Sequence, residues 1–159
     1  MRNSLLGDIV FGNLLRGKAA QVIGNIDLPH TVTYIGDFGK ALVMLGERDE
    51  ALGQIWHVPN AEPHLTIRAV VERIARIAGL PARISVMPKA MFEIISLFHP
   101  MLREFRELRH QVNEPYVVVH SKSVNAFDDI STPLDEAIRR TVGWYRGQLS
   151  NRSTKGAVR

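Results

Sequence analysis

Histidines and carboxylates are the residues of this sequence whose types could bind metal or move protons. His57 and His64 are spaced for neither one face of a helix nor a zinc motif, and no further ligands cluster with them in the sequence. Asp128 and Asp129 fall in a predicted turn, where acids commonly cap the backbone and contact solvent. The two patterns therefore indicate structural residues rather than a metal centre or a pair of catalytic carboxylates.

Motifs for nucleophilic catalysis and for phosphate binding are missing from the sequence. No serine lies in the G-x-S-x-G turn that exposes a nucleophile, and the chain contains no cysteine. The glycines at 7, 12, 17 and 24 are scattered, and neither G-x-G-x-x-G nor G-x-x-x-x-G-K-[ST] occurs. The lack of cysteine excludes disulfides and thiolate zinc sites, and it fits the cytoplasmic location that we expect.

Positive charge is concentrated at the carboxyl end of the chain. The net charge is +4, but Arg152, Lys155 and Arg159 lie in a final segment without acids. Without those three, seventeen of the twenty Lys and Arg remain against sixteen Asp and Glu, so residues 1–149 are nearly neutral. We interpret 150–159 as a flexible basic tail and expect no nucleic-acid partner. No apolar run reaches the roughly 20 residues of a membrane span, so we expect no membrane partner either.

Helices and strands that could position functional side chains alternate along the chain. Apolar periodicity predicts helices over Ser4 to Leu15, over Phe38 to Leu45 and after Thr66, with Gly17, Gly46 and Gly79 at their ends. Extended runs are predicted at residues 31–35, 53–59, 83–87 and 116–120.

Three local signals predict where helices begin or break. Asp37 is interpreted as the N-cap of the helix that starts at Phe38. Residues 89–109 read as two helices, because a proline at 100 breaks the pattern. Thr132, followed by Pro133 and an acid at 135, predicts the N-cap of a terminal helix that buries Ile138 and Val142.

The order of these motifs resembles the C-terminal half of the extended short-chain dehydrogenase/reductases, the NAD-dependent epimerase/dehydratase family. The resemblance covers about residues 2–149 and rests on the succession of Gly24–Asn25, His30 to Asp37, Gly53 to Pro59, Tyr116 to Lys122, Thr132 to Ile138, and Trp144 to Arg146. It implies an α/β fold, a partial doubly wound, Rossmann-like structure whose C-terminal substrate region contains short strands and several helices. Residues 1–149 would form this unit.

The resemblance also implies which parts of the enzyme this chain lacks. Members of the family carry a Gly-rich cofactor loop and a Tyr-x-x-x-Lys catalytic pair, but the residues four positions after Tyr34, Tyr116 and Tyr145 are not lysines. We therefore expect the substrate-binding portion of an NAD(P)-dependent epimerase, dehydratase or reductase, which is inactive alone. NAD or NADP is implied for the complete enzyme, and no cofactor is expected to bind this chain alone. A non-enzymatic small-molecule binding or protein-interaction module derived from the family is the alternative.

Five substrate-binding residues can be carried over from the family by position. Asn3 and Ser4 resemble the stretch that holds the sugar in sugar-nucleotide members, since an amide can donate to and accept from hydroxyls. His30 replaces a diphosphate-binding arginine, while Arg109 and His110 lie near a second phosphate-facing arginine. The expected substrate is a sugar nucleotide or another hydroxyl- or carbonyl-bearing metabolite.

Two further expectations follow from the resemblance. Without the N-terminal half, the predicted strand at residues 31–35 would lose its neighbours and leave apolar surface uncovered, so we expect a homo-oligomer. Asp128 occupies a position where the family commonly has glycine, and His120 replaces a common aspartate. The structure around His120 and Asp128 is therefore expected to differ from that of the family.

Overall fold

The structure is a computed structural model that describes residues 6–88 and 113–156. It is mixed α/β and mostly helical. Helix α1 combines a π-helical segment, Gly7–Gly12, with an α-helical turn, Asn13–Leu15; it is followed by β1 (Ala20–Val22) and α2 (Ile35–Gly46). A 3₁₀ turn at Asp49–Ala51 precedes the remaining elements, which are α3 (Ile67–Ala78), β2 (Ile84–Val86), α4 (Ser121–Phe127) and α5 (Leu134–Gly156).

Strands β1 and β2 form a two-stranded parallel sheet. Ala20 pairs with Ile84, and Val22 pairs with Val86. Parallel strands need a long crossover connection, and here that connection contains α2 and α3. The predicted strand at 83–87 is thus confirmed.

The core lies where α1, α3 and α5 pack against β1. Its buried side chains come from all four elements and include Val10, Leu14, Ala20, Val71, Ile74, Ile138, Val142 and Tyr145. Burial of Ile138 and Val142 confirms the inward stripe predicted for the terminal helix. The backbone of α5 is helical as far as Gly156, into the segment that the sequence suggests is a tail.

Helix α3 has the ends that its sequence predicts. The Thr66 hydroxyl accepts a hydrogen bond from the Ala69 N–H at 3.1 Å, and Gly79 ends the helix in the left-handed conformation with φ 69°. The first helix is also confirmed within the described residues, with Gly17 beyond its end at φ 73°.

Three of the four predicted extended runs are not strands among the described residues. Residues 31–34 form no strand. The pairing beside them stops at an isolated parallel bridge between His30 and Tyr116, in which the Thr31 N–H donates to the Tyr116 carbonyl, and the Asn60 side-chain amide donates to the Val32 carbonyl. Residues 53–59 form no ladder either, since the His57 carbonyl accepts from the Ser123 hydroxyl at 2.5 Å. Residues 116–120 also form no strand, although Tyr116 makes an isolated bridge with His30. The two helices predicted within 89–109 lie outside the described residues.

Asp128 and Asp129 lie in the irregular segment between α4 and α5, in agreement with the predicted turn. Asp128 follows α4 with φ 68° and ψ 167°, a region that is nearly restricted to glycine. Asp129 turns the chain by accepting a hydrogen bond from the Ser131 N–H at 2.8 Å. The unusual backbone of Asp128 therefore stores strain that a glycine would relieve.

We predict that Asp128→Gly raises the free energy of unfolding by about 1 kcal/mol, because the strain relieved exceeds the entropy that glycine gains in the unfolded chain. Urea denaturation of the purified chain measures the change. Asp129→Gly is the matched control, and it should destabilise because it removes the side-chain acceptor of the turn. A lower stability for Asp128→Gly than for wild type would contradict the strain argument.

Candidate functional site

A cavity of about 400 Å³ lies between α1, the segment 32–35, the loop at 60–62 and the first half of α5. Its apolar walls include Leu6, Phe11, Val70, Leu134, Ile138 and Tyr145. Tyr145 stacks on Phe11 with ring centroids 5.8 Å apart, which gives one wall a rigid aromatic surface. Size and lining are those of a small-molecule pocket with mostly apolar walls.

The polar part of the cavity centres on Asp37, which is only 2% exposed. Its carboxylate accepts two hydrogen bonds from Thr132, one from the backbone N–H at 2.7 Å and one from the hydroxyl at 2.5 Å. The Lys40 ammonium lies 3.0 Å from the same carboxylate and 3.3 Å from the Thr132 hydroxyl. One buried charge thus joins α2 to the residues just before α5.

The charge of Asp37 is stabilised by these partners. Burial acts to raise the pKa of Asp37, but the hydrogen bonds from Thr132 and Lys40, with the Lys40 charge, hold the pKa below its ordinary value of 3.8. Through its bonds to Thr132, the Asp37 carboxylate also lies near the amino end of α5, where the helix dipole favours an anion. Asp37 is therefore ionised at neutral pH and held in place.

Asp37 and Thr132 differ from their predicted capping roles. The helix that contains Asp37 begins at Ile35, so Asp37 lies inside its first turn and the N-cap position is taken by Tyr34. The terminal helix begins at Leu134, one residue later than expected, and the Thr132 hydroxyl is engaged by Asp37. The sequence patterns correctly placed both residues near the start of a helix. Their side chains bind each other, however, instead of capping the backbone of their own helices.

A hydrogen-bonded loop at residues 60–62 also lines the cavity. The Asn60 amide donates to the Val32 carbonyl, and its side-chain oxygen accepts from the Glu62 N–H at 3.0 Å. Arg73 of α3 lies 2.5 Å from Glu62 and 3.1 Å from Asp135 of α5. This bridging guanidinium fixes the loop to two helices. Sequence reasoning missed Asn60 and Glu62, for which no local pattern gave a signal.

His30 lies beside the cavity region and does not line it. Its backbone N–H donates to the Leu65 carbonyl at 2.9 Å, and its ring lies 5.2 Å from the Tyr116 ring, centroid to centroid. Burial lowers the pKa of His30 from its ordinary 6.5, so the ring is neutral at pH 7. A neutral ring offers no positive charge to a diphosphate.

The other four predicted site residues, Asn3, Ser4, Arg109 and His110, lie outside the described residues. Within residues 6–88 and 113–156, no group of three or more His, Cys, Asp or Glu could hold a metal ion. His57 instead contacts the Val119 carbonyl through Nδ1 at 2.9 Å.

Comparisons with known proteins give no family assignment. No protein-family model, curated protein or solved structure matches the chain. The resemblance to the epimerase/dehydratase family therefore stays a prediction from the residues. Among the described helices, none has the length and apolar character needed to cross a membrane.

We predict that Asp37→Asn lowers the free energy of unfolding by about 2 kcal/mol at pH 7, because charge-assisted hydrogen bonds of a buried carboxylate are lost. The lowered pKa means that this contribution is complete well above pH 3.8 and is lost as the pH falls through the folded-state value. Denaturation series at several pH values should show the difference from wild type shrinking in acid. Asp49→Asn, at an exposed position, is the control. An unchanged stability of Asp37→Asn at pH 7 would refute the role assigned here.

For His30 we predict a loss of stability on acidification. The folded state holds the ring below its ordinary pKa of 6.5, so below that pH the unfolded chain binds the proton more readily. His30→Asn should remove this part of the pH dependence, and the exposed His64 supplies the control His64→Asn. NMR titration of the ring protons measures the pKa directly; a value above 6.5 would reverse the sign and contradict the prediction.

Proposed function

We propose that this chain is the substrate-binding portion of an NAD(P)-dependent epimerase, dehydratase or reductase, and that the cavity beside Asp37 binds the substrate. The observation that carries the proposal is an apolar cavity of about 400 Å³ onto which Asp37, Thr132 and Asn60 converge. Apolar walls bind the body of a small molecule, while a few fixed polar groups orient its hydroxyl or carbonyl.

The proposed fold is a partial doubly wound, Rossmann-like one. The parallel pairing of β1 and β2 supports it, because an α/β crossover of this kind is the repeating unit of doubly wound sheets. In this proposal the cofactor NAD or NADP binds a different part of the complete enzyme, since the sequence has no Gly-rich loop. The predicted cytoplasmic location belongs to the same proposal.

The charges of the cavity favour one of the two predicted substrate classes. Its charged lining residues among those described are the acids Asp37 and Glu62, and the described lining contains no lysine, arginine or histidine. A diphosphate would meet the two carboxylates there, whereas the cations that pair with them, Lys40 and Arg73, are not among the lining residues. An uncharged metabolite with hydroxyl or carbonyl groups is therefore favoured over a sugar nucleotide.

A binding module without catalysis remains the second proposal. Tyr34 and Tyr145 both line the cavity, but the residues four positions further on are Phe38 and Leu149, so neither has the lysine of the family's catalytic pair. Lys40 forms an ion pair with the Asp37 carboxylate. A cavity of this kind can bind a ligand without reacting with it.

The experiment is an NMR titration of methyl groups with four probes: cyclohexanone, cyclohexanol, UDP-glucose and NAD. We expect the two neutral probes to shift the methyl signals of Val70 and Ile138, which line the cavity, and NAD to shift nothing. Ala61→Trp fills the exposed rim of the cavity and should weaken binding of the neutral probes at least tenfold. Ala82→Trp, exposed and away from the cavity, is the matched control.

The outcomes separate the alternatives. Binding of NAD by this chain alone would contradict the proposed division of the enzyme. Tighter binding of UDP-glucose than of neutral probes would overturn the substrate class, and no binding of any probe would remove the support for the cavity as a substrate site. Fusing the chain to a cofactor-binding half then distinguishes enzyme from module: turnover supports the first, and binding without turnover supports the second.

A further inference from the structure

Tyr34 is the aromatic residue of the cavity whose ring does not stack on another ring. Phe11 and Tyr145, which also line the cavity, are buried and stack on each other. Tyr34 is half-buried, and among the described residues no aromatic ring lies against it. In the chain it stands between Thr33 and Ile35, two exposed residues of the lining. The Tyr34 ring is therefore an unstacked aromatic surface near the exposed rim of the cavity.

Gly36 allows the Tyr34 ring to lie against the first turn of α2. A Cβ at Gly36 would overlap Cε1 of the Tyr34 ring and would lie 3.0 Å from its Cζ. Any other residue at this position would therefore push the ring away from the helix. The contact with Tyr34 is the packing reason for a glycine at position 36.

Both ends of Tyr34 are held by hydrogen bonds. Its backbone carbonyl accepts from the N–H groups of Asp37 and Phe38, at 3.0 and 3.1 Å, where α2 begins. At the other end, Glu136 raises the pKa of Arg140 on α5, and a hydrogen bond to the Tyr34 hydroxyl adds to this rise. A ring held in this way has little conformational freedom left to lose when a ligand packs on it.

We propose that the Tyr34 ring is the surface on which the ligand of the cavity packs, and that it makes the cavity selective for cyclic molecules over open-chain ones. The inference rests on the proposed function, because it names the substrate class of the same cavity. The face of a cyclic molecule brings many atoms into contact with an aromatic ring at once, whereas an open chain brings fewer. The ligand class is therefore a cyclic metabolite with a hydroxyl or carbonyl group.

A ring and an open chain with the same number of carbon atoms test this selectivity. Cyclohexanone and 2-hexanone each carry one carbonyl, and the methyl signals of Val70 and Ile138 report the dissociation constant of each probe. A rigid ring loses less conformational freedom than a chain in any cavity. The quantity that reports on Tyr34 is therefore the ratio of the two constants in a variant, compared with the same ratio in wild type.

Two substitutions at Tyr34 separate the ring from its hydroxyl. Tyr34→Leu keeps an apolar side chain without a flat face, and it should reduce the preference for cyclohexanone by about fivefold. Tyr34→Phe keeps the ring and should retain the preference. A Tyr34→Leu variant with the wild-type ratio would overturn the proposal, as would a Tyr34→Phe variant with the ratio of Tyr34→Leu.

Gly36 and Gly39 provide a matched pair of variants, because both lie within α2. In Gly39→Ala the new Cβ meets no heavy atom within 4 Å, while in Gly36→Ala it displaces the Tyr34 ring. Gly36→Ala should therefore lose the preference for cyclohexanone as Tyr34→Leu does, and Gly39→Ala should keep it. Equal ratios in the two alanine variants would show that Gly36 does not position the ring for binding.

A measurement without ligand separates failure of this inference from failure of the proposed function. Nuclear Overhauser contacts between the Tyr34 ring protons and the Gly36 Hα protons are expected in wild type and in Gly39→Ala. Their absence overturns the inference whether or not a probe binds. If neither probe binds wild type, the proposed function fails and this inference fails with it. If both bind and Tyr34→Leu changes nothing, only this inference fails. Circular dichroism of each variant confirms that it is folded.

Discussion

The ionised carboxylate of Asp37 is the constraint on which the rest of the site depends. A buried charge is costly unless it is fully paired, and here Thr132 and Lys40 together supply three donors. Because two of those donors belong to Thr132, the segment before α5 must lie against the first turn of α2. The first turn of α2 therefore fixes where α5 begins, although Asp37 and Thr132 are far apart in the sequence.

The cavity is a consequence of that fixed position. Asp37 holds α5 against α2, while Arg73 holds α5 and the loop at 60–62 against α3. The wall between these two polar links is apolar, and the Asn60 amide holds the segment 32–35 through the Val32 carbonyl. The cavity thus lies between two polar attachments that fix α5 to its neighbours.

The helices could be predicted from the sequence because their signals are local. Thr66 and Gly79 define α3 through groups within a few residues, and the structure has both ends where the pattern places them. Residues 31–35 have the composition of a strand, but composition does not say which partner the backbone will bind. Thr31 and Val32 bind Tyr116 and Asn60, which are distant in the sequence, and α2 starts at Ile35. The cavity could not be predicted for the same reason, since the pairing of Asp37 with Thr132 is visible only in three dimensions.

The short parallel sheet has a consequence for the order in which the molecule folds. In the sequence, α2 and α3 lie between its two strands. Pairing of β1 with β2 therefore closes a very long loop, although each strand has only three residues. Closing a long loop costs conformational entropy before the strand contacts form, whereas the hydrogen bonds of α3 join residues that are close in the sequence. We therefore expect the helices to assemble first and the sheet to close last. Among the core elements, we expect amide hydrogen exchange to be fastest at these two strands.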